Sequence, residues 1–387
     1  METWSTHHLY QEASSRLGNP AAASLRAYAQ RLISKDLAVV FSLGHLARIT
    51  GASYRMLHAT VNRTRESANY RMYAVKKRSG GRRFIHAVSG DLAKVQKFIS
   101  QEILQKCHPH VASFAFHRSG GIRKCAVNHC GARWLFQYDL KDFFYDITES
   151  DVYKVFLDLG YRPLLSFEMA RLCTTTHLPK SIKPITHNAG FDAIPLPDAE
   201  TGVPSKLAYP DKTRRLGVLP QGASTSPMLS NLAAQELDNS LSRYAADNGF
   251  VYTRYADDIT VSATEFPRSI SVGSIHRNII HRIRKAGFFE NKKKTHISGP
   301  GSKKLVLGLL VDGKEPRISR ETYHRIERHV YASRKFGLNE ASSHERFDSA
   351  YGYFNHLSGL IAFVKDVDKK RWDEFEIKMK GISLSEV

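Results

Sequence analysis

The chain has 387 residues, enough for more than one domain, and its 57 Lys and Arg against 37 Asp and Glu give a formal charge of +20. Such an excess points to a polyanionic partner, bound in part through counterion release from phosphates and so weakened by salt. No apolar run is long enough to cross a bilayer, and Met1-Glu2-Thr3-Trp4-Ser5-Thr6-His7-His8 lacks the basic-then-apolar pattern of a secretory signal, so a cytoplasmic chain with no membrane partner is expected.

Residues 1 to 65 predict helices, and the stretch from Leu43 to Leu57, apolar on both sides of Gly51, has a helix-turn-helix look. Tyr73 to Ile85 reads as a basic hairpin turning at Gly80-Gly81, with a plain solvated basic surface as the other reading. Cys107, Cys125 and Cys130 lie near His108, His110 and His129, but no Cys-x-x-Cys halves occur, so packed thiols are expected there and at Cys173. Trp134 to Tyr138 predicts a strand closing on Asp139, and of Phe143 and Phe144 beyond it one is expected to pack inward.

Residues 174–218 mix Lys180, Lys183, Lys206, Lys212, Arg214 and Arg215 with six prolines, an irregular insertion that is either a functional loop or simply solvated. Leu219-Pro220-Gln221-Gly222-Ala223 then leads into a helix, for which Ser226 is a candidate cap and Pro227 a candidate first-turn residue. Alternation from Phe250 to Ser262 predicts two strands meeting at a turn that carries Asp257 and Asp258. Alone, the pair is readable as turn chemistry. Asp139 adds a second acidic strand end from a distant part of the chain, and carboxylates delivered to one edge suit magnesium and phosphoryl transfer. Asp139 and Asp257 are expected to bridge two Mg2+ ions, with Asp258 more peripheral. Lys292-Lys293-Lys294 forms a basic turn; Lys304 to Ile318 predicts strand, Asp312-Gly313 turn, strand; Glu321 to Lys380 predicts basic helices.

In that order, Tyr138-Asp139-Leu140-Lys141-Asp142-Phe143-Phe144, Leu219-Pro220-Gln221-Gly222-Ala223 and Tyr255-Ala256-Asp257-Asp258 resemble the three central palm motifs of reverse transcriptases. The likeness runs from about residue 35 to 375 and is greatest to bacterial retron enzymes. Cys125-Ala126-Val127-Asn128-His129 sits where those carry Asn-Ala-x-x-His, and Leu305-Val306-Leu307-Gly308-Leu309 where they carry Val-Thr-Gly; Cys125 and Leu307 depart from the pattern.

The resemblance implies an α+β right-hand polymerase: an N-terminal helical extension (1–65), fingers (66–138), a palm of antiparallel sheet plus helices (139–312, interrupted at 174–218) and a helical thumb (313–387). It implies catalytic and metal-holding roles for Asp139, Asp257 and Asp258. Lys77 and Arg83, with Lys76 and Arg82 as register alternatives, would hold the triphosphate of a dNTP. Phe144 would gate its sugar, Gln221 and Gly222 line its pocket, and Lys294 stand near the pyrophosphate. Ala126, His129 and Gly308 become RNA-binding candidates. The implied function is reverse transcription of a cognate structured noncoding RNA into RNA-linked DNA in antiphage defence, alongside a separate effector protein. A reverse transcriptase of another defence system, or a non-catalytic RNA-binding scaffold with this fold, are the alternatives.

Overall fold

The computed structural model describes residues 5–76, 80–186, 215–266 and 270–382. The chain falls into two units, each assembled from separate stretches: Met1–His117, Leu140–Ser240 and Ile280–Glu290 in the first, Arg118–Asp139, Leu241–Ile279 and Asn291–Val387 in the second.

The first unit begins with helices Thr6–Leu17, Asn19–Ile33, Leu43–Thr50 and Tyr54–Val61. Ser42 caps the third by accepting from His45 N, Gly51 ends it at φ 65°, and Ser53 caps the fourth, so the helix-turn-helix look at Gly51 corresponds to two real helices. Leu43, Leu46, Met56, Leu57 and Val61 are buried between them and the neighbouring segments, each such side chain contributing about 1.5–3 kcal/mol. Strands β1 (Tyr70–Lys76) and β2 (Arg82–Val88) pair antiparallel, from Tyr70 opposite Val88 to Lys76 opposite Arg82. The Tyr70 and His86 end is buried; from Tyr73 to Lys76 and at Arg82 and Arg83 the hairpin is exposed.

Behind this hairpin, Arg63 forms buried ion pairs with Glu149 and, at 3.0 Å, with Glu66, while Glu149 also accepts from Gly217 N at 3.0 Å. A Cβ at Gly217 would collide with Arg63, so glycine is required where the chain crosses this network. Removing one member would leave an uncompensated buried charge, which costs about 3–5 kcal/mol. The ends of the 174–218 insertion meet here, Thr175 and Val218 exchanging both backbone hydrogen bonds. Lys206, Lys212 and Arg214 lie outside the described residues. Helix Ser226–Ala233 follows, with Pro227 in its first turn; Thr225, not Ser226, is the N-cap residue. Ser226 is already helical, and its hydroxyl donates to the Pro220 carbonyl instead, which ties the helix to the Pro-Gln-Gly loop.

The second unit holds a four-stranded antiparallel sheet of β3 (Trp134–Asp139), β4 (Val251–Tyr255), β5 (Asp258–Ala263) and β6 (His296–Ser298), in the order β4-β5-β3-β6. Every residue of β5 after Asp258 is buried, which marks a strand covered on both faces. Strands β7 (Leu305–Val306), β8 (Leu309–Leu310) and β9 (Arg317–Ile318) make a second small sheet. The single hairpin expected around Asp312-Gly313 is therefore two. Its first turn lies at Leu307 and Gly308, both left-handed at φ 50° and 85°, the pattern of a type I′ turn. Helices Arg320–His344, broken at Gly337, Ala350–Lys365 and Lys369–Met379 complete the unit. Ile326, Val330, Leu357 and Ile361 pack with Val306, Leu309 and Ile318 in one core. Among the described residues no helix is long and apolar enough to cross a membrane.

Candidate active site

In the second unit β3 ends on Asp139, and its register partner across the sheet is Asp258, the first residue of β5. Because Tyr255 pairs with Asp258, β4 and β5 are joined by only two residues, Ala256 and Asp257. Ala256 is left-handed at φ 57°, which costs a residue with a Cβ roughly 1–2 kcal/mol. The turn is held by Arg254, whose side chain is fully buried and donates through Nη1 to the Ala256 carbonyl at 3.1 Å. The strain fixes where the two carboxylates stand.

Asp139 is 8% exposed. Asn291 donates from Nδ2 to its Oδ2 at 3.2 Å and from its backbone N to the Asp139 carbonyl at 2.8 Å, and the Lys294 ammonium bonds Oδ1. Of the three adjacent lysines, Lys294 is thus the one drawn to the acids. Its hydrogen bond to Asp139 raises its pKa, against desolvation and together with the charges of all three aspartates. Asp258 keeps an open face to solvent, but protein packed around the rest of the carboxyl, then Asp257 and Asp139, push its pKa up to about 6, while Lys294 opposes.

Among the described residues no three His, Cys, Asp or Glu side chains are gathered as a ready metal cage, and Asp139 is engaged by Lys294 and Asn291. The donor set nevertheless suits hard cations. It offers three carboxylates from two strand ends, raises the proton affinity of one of them, and has already recruited an ammonium.

In the first unit, the Gln221 carbonyl accepts from His86 N on β2 at 2.7 Å, and Gly222, at φ 115°, lies so close that a Cβ would come within 2.8 Å of the His86 carbonyl. Only glycine lets the Pro-Gln-Gly loop dock on that strand. Phe143 is the inward aromatic, 3% exposed and 5.4 Å from the Phe288 ring, while Phe144 is half-buried. Arg82 and Arg83 are both exposed on β2, as is Lys76 on β1; Lys77 lies outside the described residues.

The three RNA-binding candidates are placed differently. Ala126 and His129 are fully buried. His129 bonds Ser262 through Nδ1 and Thr253 through Nε2, both at 2.7 Å, and burial lowers its pKa to about 4, so the ring is neutral and faces the core. It clamps β4 to β5 behind the acidic turn. Gly308 serves the β7–β8 turn and is exposed, with the Phe363 ring 3.5 Å from where a Cβ would stand. Sequence reasoning missed Asn291 and Arg254. Asn291 carried the one usable hint, standing directly before the three lysines, but Arg254 looks like any polar residue in an alternating strand.

Residues 75–311 match the family described as Reverse transcriptase (RNA-dependent DNA polymerase). The chain is 29% identical over 342 residues to the Retron Ec86 reverse transcriptase of Escherichia coli, covering 88% of this chain and 89% of that protein. It is 27% identical to the Retron Mx65 reverse transcriptase of Myxococcus xanthus (87% and 70%) and 26% identical to the Retron Mx162 reverse transcriptase of the same organism (89% and 68%).

Proposed function

Since the chain belongs to the reverse transcriptase family, with its α+β polymerase architecture and RNA-directed DNA polymerase activity, we propose that it is a retron enzyme that copies part of a cognate structured noncoding RNA into RNA-linked single-stranded DNA. The observation that carries this reading is the likeness to a retron reverse transcriptase along nearly the full length of both chains. The division into N-terminal extension, fingers, palm and thumb follows the same reading.

Asp139, Asp257 and Asp258 would hold two Mg2+ ions, which supply activation of the primer hydroxyl and neutralisation of the pyrophosphate charge. Lys294 adds a cation on the leaving-group side and can give up a proton there. Lys77 and Arg83 take the triphosphate, Gln221 and Gly222 line the nucleotide pocket, and the Phe144 ring meets a 2′-hydroxyl and so selects deoxynucleotides. The primer is a guanosine 2′-hydroxyl of the RNA itself, which leaves a branched product. In the cell, the complex of RNA, DNA and enzyme restrains a separate effector in the cytoplasm as a defence against phage.

The test is to purify the protein from its host and sequence the nucleic acid that comes with it. One RNA species covalently joined to DNA through a 2′ linkage supports the retron reading. A mixed RNA population with only unlinked, template-independent primers overturns it in favour of another class of reverse transcriptase.

A further inference from the structure

Phe116 is an aromatic residue whose placement the packing of the first unit does not explain. The residue is 44% exposed, and its backbone is left-handed at φ 68°, a conformation unfavourable to any residue with a Cβ. The loop is nevertheless held firmly. The fully buried Asn231 donates from Nδ2 to the Ala115 carbonyl at 2.7 Å and accepts from the Ser113 hydroxyl at 2.9 Å, and His117 Nε2 lies 2.8 Å from the Ser113 carbonyl. Asn231 belongs to helix Ser226–Ala233, which follows the Pro-Gln-Gly loop, so the segment carrying Phe116 is tied to the helix that continues from the loop bearing Gln221 and Gly222.

The ring that this strain presents meets Phe144, with centroids 6.3 Å apart and planes tilted by 44°. Phe144 also touches Phe143, at 5.6 Å, and Phe143 is fixed in the core. One neighbour of Phe144 is therefore set by burial, and the other by a strained, side-chain-braced loop. Backbone strain of this kind gathers where a side chain has to be aimed.

We propose that Phe116 is a positioning residue for the sugar gate: its ring holds that of Phe144 where an incoming 2′-hydroxyl collides with it, and so sets how strictly deoxynucleotides are chosen. The proposal rests on Phe144 being the gate. Tilted aromatic pairs of this spacing are attractive in their own right, which gives Phe116 the means to bias the Phe144 rotamer.

The experiment measures single-nucleotide incorporation of a dNTP and the matching rNTP on a primed RNA template by wild type, F144A, F116A and F116Y. F116A is expected to lower the dNTP-over-rNTP ratio of kcat/KM by about tenfold, the scale on which an apolar pocket discriminates. The change should come from a lower KM for the rNTP, with kcat for the dNTP kept within about twofold. F116Y, which keeps the ring, should restore the wild-type ratio. If F144A admits ribonucleotides while F116A keeps the wild-type ratio, or loses both activities in equal measure, the positioning role is overturned and the gate stands. If F144A itself stays strict, the gate falls and this inference with it.

Discussion

The β4–β5 hairpin carries Asp257 and Asp258 on a two-residue turn backed by buried Arg254 and by His129, whereas β1–β2 carries its Lys and Arg on a stretch exposed from Tyr73 to Lys76 and at Arg82 and Arg83. The contrast follows from charge. Adjacent carboxylates repel one another, so the fold must hold them by strain at Ala256 and by hydrogen bonds from behind. Cations that meet a triphosphate need no such bracing, because attraction to a polyanion acts over distance and tolerates several side-chain geometries.

The two hairpins should accordingly respond differently to substitution. Asp257→Asn is expected to lower primer extension by about a thousandfold or more, the scale of removing a principal electrostatic group from an active site, with RNA affinity retained. Extension near the wild-type rate would remove Asp257 from the site. Next in size is the clamp behind the turn. His129 takes no proton in the folded chain until about pH 4, while the unfolded chain takes one near 6.5. Stability is therefore complete above pH 6.5 and declines as pH falls toward 4, by about 3 kcal/mol for this one group. Urea midpoints measured across that window should fall in wild type and flatten in His129→Gln; parallel curves would remove His129 as the cause.

Lys294→Ala should cost about a hundredfold in kcat, within the usual range for a positioned acid, and Lys294→Arg less, because it keeps the charge on Asp139. An unchanged kcat would leave the Lys294 contact with Asp139 structural only. The smallest effect belongs to the exposed hairpin. Arg83→Ala should raise KM for dNTP by about tenfold with kcat nearly kept, the signature of lost uniform binding. A fall in kcat alone would show that the basic hairpin is as closely fitted to the reaction as the acidic one, and the contrast would collapse.

Much of the acidic edge was legible in the sequence because it is written locally. Alternation through Tyr252, Arg254, Ile259 and Val261 gave both strands, and their meeting point gave the turn. What was illegible depends on partners far away in the chain. Asn291 shows its place in the sequence only as a neighbour of the three lysines, its role coming from its bond to Asp139. His129 by itself reads as a satisfied core or surface histidine, its motif alone suggesting an RNA contact, until Thr253 and Ser262 are seen around it. Ser226 has the composition of a cap but finds the Pro220 carbonyl instead, and the Leu307-Gly308 turn was hidden because leucine seldom accepts a positive φ. Phe143 and Phe144 are alike in sequence. Only the Phe288 ring decides which of them goes inside.

The most direct test of the acidic site is a count of divalent cations. Mn2+ is titrated into the protein bound to template, primer and an unreactive dNTP analogue, and bound metal is read by electron paramagnetic resonance. Two ions per chain are expected in wild type, and loss of both when Asp139 and Asp257 are replaced together by Asn. Undiminished uptake of two ions by that double variant would contradict this expectation.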